Sequence, residues 1–140
     1  MANNTDTIER EIFVNAPPEA VFRYLVEADL MARWIGVSHE LDPQPGGHFR
    51  VEVSSGNVAR GFYTEVVPYR RVAFTWGWES HDGSLAALPP GKSLVEIDLE
   101  GKDRGTLVRL RHSRLPTELG EQHGKRWSFY LLQLQSCATP

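Results

Sequence analysis

Cysteine is almost missing from this chain, which has only Cys137 among its 140 residues. One cysteine excludes an internal disulfide, and a reducing cytoplasm is the usual setting of such chains. No apolar run approaches the roughly 20 residues that a membrane-spanning helix needs. The polar residues 1–6 contain no apolar signal-peptide core. We therefore expect a cytoplasmic protein with no membrane span.

The chain also lacks an excess of positive charge and the common catalytic signatures. The formal net charge is −3 and no dense basic cluster occurs, whereas nucleic-acid binding needs a basic stripe; we expect no nucleic-acid partner. The sequence has no Gly-x-Ser-x-Gly motif, no phosphate-binding glycine loop and no dinucleotide fingerprint. Its histidines show neither Cys/His pairing nor the H-E-x-x-H spacing. We expect no metal and no cofactor.

The pattern of apolar residues predicts a single α+β domain over residues 1–140. Alternation predicts a strand at 7–14, and Pro17 and Pro18 then open a short helix, followed by a second one that ends at Gly36. The predicted strands that follow are at about 37–42, 47–53, 58–67, 71–78, 93–100 and 105–113. Short turns separate most of them, which is typical of an antiparallel meander. The exception is the long connection 79–92, a length typical of lids and binding loops and almost as often of plain disorder.

A long last helix is predicted to follow the helix-entry segment 115–118 and to run to about Ser136. Apolar residues cover much of its circumference, with Trp127 and Tyr130 on the main face, so we expect the sheet to enclose it. Gly120 and Gly124 cost helix stability. We expect Gly120 to precede the helix and Gly124 to allow close packing.

The order of these elements, with the residues below, resembles the START-like or SRPBCC superfamily, and most closely the family of activator of heat-shock protein 90 ATPase homologues. The matching segments are 14–17 with Val21 and Phe22, then Trp34, 45–49, 61–66, 71–76, 106–113 and the helix around Trp127. The resemblance implies a helix-grip fold, a bent antiparallel sheet of about seven strands wrapped around a long C-terminal helix. It also implies an apolar pocket between sheet and helix.

The same resemblance leaves three functions open. Superfamily members include carriers of lipids and hormones, polyketide cyclases and bacterial stand-alone domains, so the chain is expected to bind a hydrophobic or aromatic metabolite as a carrier, sensor or buffer. The first alternative is a cyclase, dehydratase or hydrolase that uses the same pocket. The second is a chaperone-linked or stress-related protein-interaction module, with a homodimer or a chaperone as partner. The co-chaperones carry a separate N-terminal chaperone-binding domain, and we expect none in this chain.

An aromatic strand is the main candidate for the pocket wall. Val72, Phe74, Trp76 and Trp78 alternate, and alternate residues of one strand share a face. Simple core packing is the other interpretation of each ring. The candidate ligand-binding residues on the sheet and helices are Trp34, Phe49, Phe62, Phe74, Trp76, His112, Trp127, Tyr130 and Leu131.

The inward face of strand 58–67 stays open at this stage. If Phe62 faces inward, the pocket is mostly apolar; if Tyr63 and Glu65 face inward, it gains a hydroxyl and a carboxyl. A β-bulge would present residues of both sets. His112, on the strand 105–113, is either a buried hydrogen-bonded residue or a group that orients a ligand or moves protons. His112, Glu65 and Tyr63 are thus the catalytic candidates.

Overall fold

The computed structural model describes residues 5–80, 85 and 87–139 of the chain. Within these residues it has eight strands and three α-helices. In chain order they are β1 (Thr5–Val14), α1 (Pro18–Val26), α2 (Ala28–Met31), β2 (Ser38–Leu41), β3 (His48–Ser54), β4 (Asn57–Val67), β5 (Arg71–Trp76), β6 (Trp78–Ser80), β7 (Ser93–Lys102), β8 (Gly105–Pro116) and α3 (Thr117–Ala138). In the described part of the chain, no helix is both long enough and apolar enough to cross a membrane.

The strands form one antiparallel sheet in the order β1-β8-β7-β5-β4-β3-β2, and β6 pairs with β4 beside β5. Most neighbours in this order are joined by short turns, as a meander requires. There are two exceptions. Residues 77–92 separate β5 from its neighbour β7 in the chain, and the pairing of β1 with β8 joins the first strand to the last strand before α3. The predicted helix-grip fold is confirmed.

Helix α3 packs closely on β1. Arg10 Nε donates to Ser128 Oγ over 2.8 Å, and Gln135 donates to the carbonyl of Phe13 over 2.8 Å. A Cβ atom at Gly124 would lie 2.6 Å from Nη2 of Arg10, and one at Gly120 would lie 2.4 Å from a carboxylate oxygen of Asp6. The prediction that Gly120 precedes the helix was wrong, because α3 begins at Thr117 and both glycines lie on its sheet-facing side.

The predicted strand 71–78 is not continuous. It breaks at Gly77 into β5, which pairs with β4 and β7, and β6, which pairs with β4. A Cβ atom at position 77 would lie 1.9 Å from the carbonyl oxygen of Pro89, so the chain passes there only because the residue is glycine. Residues 81–84 and 86 of the predicted long connection lie outside the described residues.

The bulge considered for β4 is present between Tyr63 and Glu65. Tyr63 faces the core with 1% of its surface exposed, whereas Phe62 is 57% exposed. Glu65 lies at the surface and pairs with Arg71 at 3.1 Å. The bulge therefore presents the tyrosine inward and leaves both Phe62 and the carboxylate outside.

Candidate functional site

A partly open cavity of about 80 Å³ lies between the β3–β4 hairpin, strands β5 and β6, and the middle of α3. The first part of its lining comes from the sheet and from the segment after β6, and consists of Val53, Ser54, Asn57, Trp76, Trp78 and Leu85. The second part comes from α3 and consists of Gln122, His123, Arg126, Trp127 and Tyr130. The cavity thus occupies the space between sheet and helix that the fold predicts.

Aromatic rings form most of the cavity wall. The ring centre of Trp76 lies 5.5 Å from that of Trp78 and 5.3 Å from that of Trp127. The ring of Tyr130 continues the wall, 6.0 Å from Trp127 and nearly perpendicular to it. These separations, and the edge-to-face angles of the Trp76–Trp78 and Trp127–Tyr130 pairs, are the ones that aromatic pairs prefer.

The break at Gly77 sets the position of Trp78 in this wall. Just after the break, the backbone N–H of Trp78 donates to the carbonyl of Leu88 over 2.8 Å. The connection between β6 and β7 is thereby held against the end of β5, and Leu88 is buried there. Trp76 and Trp78 consequently meet edge to face although they belong to different strands.

His112 lies behind the cavity wall and is completely buried. The Trp127 indole N–H donates to His112 Nδ1 over 2.9 Å. An indole nitrogen can only donate, so Nε2 of His112 carries the proton and donates it to Ser93 Oγ at 2.7 Å. The Ser93 hydroxyl donates in turn to the carbonyl of Trp76 over 2.7 Å. Burial, and secondarily the neighbouring His123, lower the pKa of His112 well below its ordinary value, so the ring is neutral.

His123, which lines the cavity, also has both ring nitrogens hydrogen-bonded. Its Nδ1–H donates to the carbonyl of Leu119, one turn earlier in α3, over 2.9 Å. Its Nε2 accepts the indole N–H of Trp78 over 3.2 Å. Burial lowers the pKa of His123, although the bond to Leu119 works in the opposite direction and Arg126 lowers it further. Both buried histidines are therefore neutral rings whose tautomers are set by tryptophans.

The predicted ligand-binding residues occupy three different places. Trp76, Trp127 and Tyr130 line the cavity. Phe62 lies on the outer side of the sheet. The remainder, which are packed in the core, are Trp34, Phe49, Phe74, His112 and Leu131.

Core packing explains why several aromatic candidates do not reach the cavity. Phe49 and Phe74 stack with ring centres 4.0 Å apart, and Tyr63 contacts both of them edge on. Trp34 is held beneath the two short helices by a 2.8 Å bond from its indole N–H to the carbonyl of Tyr24. These rings fill the space between sheet and helix at one end, and the cavity is what stays open at the other end.

The three catalytic candidates do not meet. His112 uses both ring nitrogens in bonds to Trp127 and Ser93. Tyr63 is buried in the core, where its hydroxyl donates to the carbonyl of Leu25 at 3.4 Å, and burial raises its pKa above the ordinary value. Glu65 is half exposed on the outer surface beside Arg71. None of these three side chains lines the cavity of Trp76.

Several lining residues are absent from the sequence-based set. They are Val53, Ser54, Asn57, Trp78, Leu85, Gln122, His123 and Arg126. The alternation of aromatic residues at 72–78 was a usable signal for Trp78. The lining side chains of the helix recur at 122, 123, 126, 127 and 130, which is the spacing of one helical face. The hairpin residues carried no signal, because their proximity to α3 depends on the bend of the sheet.

A second and wider depression, of about 270 Å³, lies on β1, β7 and β8. Charged side chains line most of it, including Glu9, Asp98 and Arg111. Among them Arg109 pairs with Glu11 at 3.2 Å and, at its edge, with Glu100 at 2.7 Å. Exposed ion pairs of this kind are ordinary features of a solvated sheet face. The described residues contain no group of three or more potential metal ligands, in this depression or elsewhere.

Comparison with known families agrees with this fold. The model of the family described as activator of Hsp90 ATPase homolog 1-like protein matches residues 15–139. The chain belongs to this family. No curated protein matched the chain.

Solved structures that are similar to this protein align with nearly the whole chain. An AHSA1-like protein from Rhizobium etli is 40% identical, with a TM-score of 0.75, over 97% of this chain and 83% of that one. A Mesorhizobium loti protein is 22% identical, with a TM-score of 0.81, over 94% of this chain and 95% of that one. An Aha1 protein from Colwellia psychrerythraea, solved as a dimer, is 19% identical, with a TM-score of 0.79, over 95% of this chain and 96% of that one. At 22% and 19% identity, the proteins from Mesorhizobium loti and Colwellia psychrerythraea support the fold only.

Proposed function

We propose that this chain is a small-molecule-binding domain, and that its ligand is a small aromatic or otherwise apolar molecule held between the sheet and α3. The observation that carries this proposal is the cavity wall, in which Trp76, Trp78, Trp127 and Tyr130 surround one space. Ligand sites are typically apolar and aromatic with a few polar groups. The polar groups here are the side chains of Ser54, Asn57, Gln122, His123 and Arg126.

The size of the cavity limits the ligand. Its volume of about 80 Å³ is below the roughly 300–1,000 Å³ of most small-molecule sites. A lipid or a steroid does not fit that space, whereas a molecule with one small ring requires at most a modest movement of the walls. The proposed ligand is therefore a one-ring aromatic molecule, and the role is that of a carrier, sensor or buffer.

The positions of the polar groups favour binding over acid–base chemistry. A general base must reach the proton that it abstracts, directly or through one water. His112 has both nitrogens engaged behind the wall, and Glu65 and Tyr63 lie in separate surroundings. Among the described residues, those that line the cavity include no carboxylate.

The test is a titration of the protein with phenol, 4-methylphenol and octanoate, followed by tryptophan fluorescence and by the melting temperature. Phenol and 4-methylphenol are expected to change the emission and to raise the melting temperature, whereas octanoate is expected to have little effect. Val53→Phe places a ring in the cavity and is expected to abolish these responses. The matched control is Val67→Phe, at a position that is 40% exposed on β4 and outside the cavity.

Two results would contradict the proposal. The first is that neither phenol nor 4-methylphenol binds at millimolar concentration. The second is that both bind Val53→Phe as well as they bind the wild type, which would place binding elsewhere on the molecule.

Self-association is a second candidate role. Phe129 and Leu132 lie three residues apart on the outer side of α3 and are 56% and 58% exposed. Exposed apolar side chains grouped together are typical of contact surfaces. The similar protein from Colwellia psychrerythraea was solved as a dimer. We propose a homodimer that uses this side of α3; a chaperone partner stays a prediction.

A further inference from the structure

Two buried polar atoms belong to side chains that line the cavity, and neither has a hydrogen-bond partner among the described residues. They are Nε1 of Trp76 and Oδ1 of Asn57. The first is a donor and the second is an acceptor. Buried polar groups in folded proteins nearly always have partners, so an unpaired one calls for an explanation.

The other tryptophans show that this is a property of Trp76 alone. The remaining three indole N–H groups donate within the fold, from Trp34 to Tyr24, from Trp78 to His123 and from Trp127 to His112. Trp76 is as deeply buried as these residues, with 3% of its surface exposed. Its backbone carbonyl accepts a bond from Ser93, but its indole N–H donates to no described residue.

The side-chain amide of Asn57 is hydrogen-bonded through its nitrogen only. It opens β4 after the tight turn of Ser55 and Gly56, and its Nδ2 donates to Ser54 Oγ over 3.0 Å. That bond directs the amide while leaving Oδ1 unused. Both Ser54 and Asn57 line the same cavity as Trp76.

We propose that the ligand offers a hydrogen-bond acceptor to Trp76 Nε1 and a donor to Asn57 Oδ1, and that its chemical class is the aromatic carboxamides. This inference rests on the proposed function, since it names the ligand class of the same cavity. A carboxamide on a ring carries a carbonyl oxygen and an N–H group side by side. The ring lies against Trp78, Trp127 and Tyr130, which supply its apolar contacts.

Other ligand classes satisfy these atoms less well. A plain hydrocarbon ring satisfies neither atom. A carboxylate provides an acceptor for Trp76 but also brings a second acceptor toward Oδ1 of Asn57, where only a donor is favourable. Arg126 also lines the cavity and would favour such an anion, so the carboxylate is the necessary comparison. Because Nε1 of Trp76 and Oδ1 of Asn57 are both enclosed, binding of a carboxamide requires a slight movement of the cavity walls at each of these atoms.

The experiment compares benzamide, benzoate and toluene by titration, with proton–nitrogen spectra of the four indole groups. Benzamide is expected to bind more tightly than toluene, by about 2- to 10-fold for each hydrogen bond gained. On adding benzamide, the indole proton of Trp76 is expected to move downfield, as a newly bonded proton does. Trp76→Phe identifies that signal by removing it.

Variants separate the two hydrogen bonds from the ring contacts. Trp76→Phe is expected to weaken the binding of benzamide about 2- to 10-fold and to change the binding of toluene much less. Trp34→Phe is the control, because that ring lies outside the cavity and its N–H already has an acceptor. Asn57→Ala is expected to weaken the binding of benzamide in the same way. Its control is Gln44→Ala, which removes an exposed side-chain amide that bonds to Asp42 outside the cavity.

The outcomes distinguish this inference from the proposed function. Equal binding of toluene and benzamide would overturn the inference and leave an apolar binding site standing. Tighter binding of benzoate than of benzamide would overturn it in favour of anion recognition at Arg126. If none of the three compounds binds, the proposed function fails as well. An unmoved Trp76 signal in a benzamide complex would also contradict the inference, even if a variant failed to fold.

Discussion

The indole N–H of Trp127 donates to Nδ1 of His112 over 2.9 Å, and this single contact sets the protonation of a completely buried ring. With Nδ1 accepting, the proton of the neutral imidazole must lie on Nε2. From there the bonds run to Ser93 and on to the backbone of Trp76. The helix and the sheet are thereby joined behind the cavity by a directed chain in which every polar side-chain atom of His112 is paired.

Stability is expected to fall at mildly acidic pH because of this ring. Burial lowers the pKa of His112 in the folded state, whereas the unfolded chain binds a proton near pH 6.5. As pH falls through 6.5 the unfolded state therefore gains a proton that the folded state does not, and stability decreases. If the folded ring stays neutral down to pH 5, the free energy of unfolding should drop by about 2 kcal/mol between pH 7.5 and pH 5 because of His112. Urea unfolding across this range measures the drop.

A matched pair of variants isolates that contribution. His112→Gln retains a donor and an acceptor but does not titrate, so its pH dependence should be shallower than that of the wild type. His48→Gln changes an exposed histidine on β3 and should retain the wild-type slope. A wild-type slope in His112→Gln would show that other groups cause the acid destabilisation.

Replacement of the Trp127 indole by a phenyl ring should cost more stability than the same replacement at Trp76. Both Trp→Phe changes remove similar volume from buried positions, 2% and 3% exposed. Trp127→Phe also leaves Nδ1 of His112 without its donor, at a cost of about 1–3 kcal/mol. Trp76→Phe removes a donor that has no partner among the described residues. Chemical denaturation of both variants measures the difference, and equal losses would contradict the importance of the His112 bond.

Replacement of Gly77 should disturb the cavity from a distance. In Gly77→Ala the new Cβ would lie 1.9 Å from the Pro89 carbonyl oxygen, and relieving such a contact typically costs about 1–3 kcal/mol. Because Trp76 and Trp78 flank this position, their fluorescence should change with the stability. Gly101→Ala is the control, since its nearest neighbour, Pro18, would be at 3.4 Å. Equal tolerance of both changes would contradict the proposed role of Gly77.

The proposed dimer predicts a concentration-dependent mass. Light scattering on the wild type should show the mass of two chains at high concentration, and Phe129→Asp should shift the protein to the monomer by placing a charge in the contact. Gln122→Asp is the control on the same helix, outside the exposed apolar pair. A monomer at all concentrations, or a dimer unaffected by Phe129→Asp, would contradict an interface at Phe129 and Leu132.

The strand 58–67 shows how far the pattern could predict the fold. Alternation placed Phe62 and Tyr63 on opposite faces but could not choose between them, because each set contains apolar and polar residues. The choice follows from contacts with distant strands: Tyr63 lies 5.8 Å from Phe49 and 6.0 Å from Phe74, ring centre to ring centre. The bulge before Glu65 then turns the carboxylate outward.

The order of the strands along the chain, most of the turns between them and the apolar face of the last helix followed from the sequence alone. These features depend on neighbouring residues and on the regular repeat of side-chain directions along a strand or a helix. The resemblance to the family rested on the same local segments. Which rings face the cavity and which fill the core was decided only by the tertiary structure. His112 shows the reason: its partners Ser93 and Trp127 are 19 and 15 residues away in the chain. Packing of the sheet against α3 brings them together, and no periodicity in the sequence predicts contacts between residues so far apart in the chain.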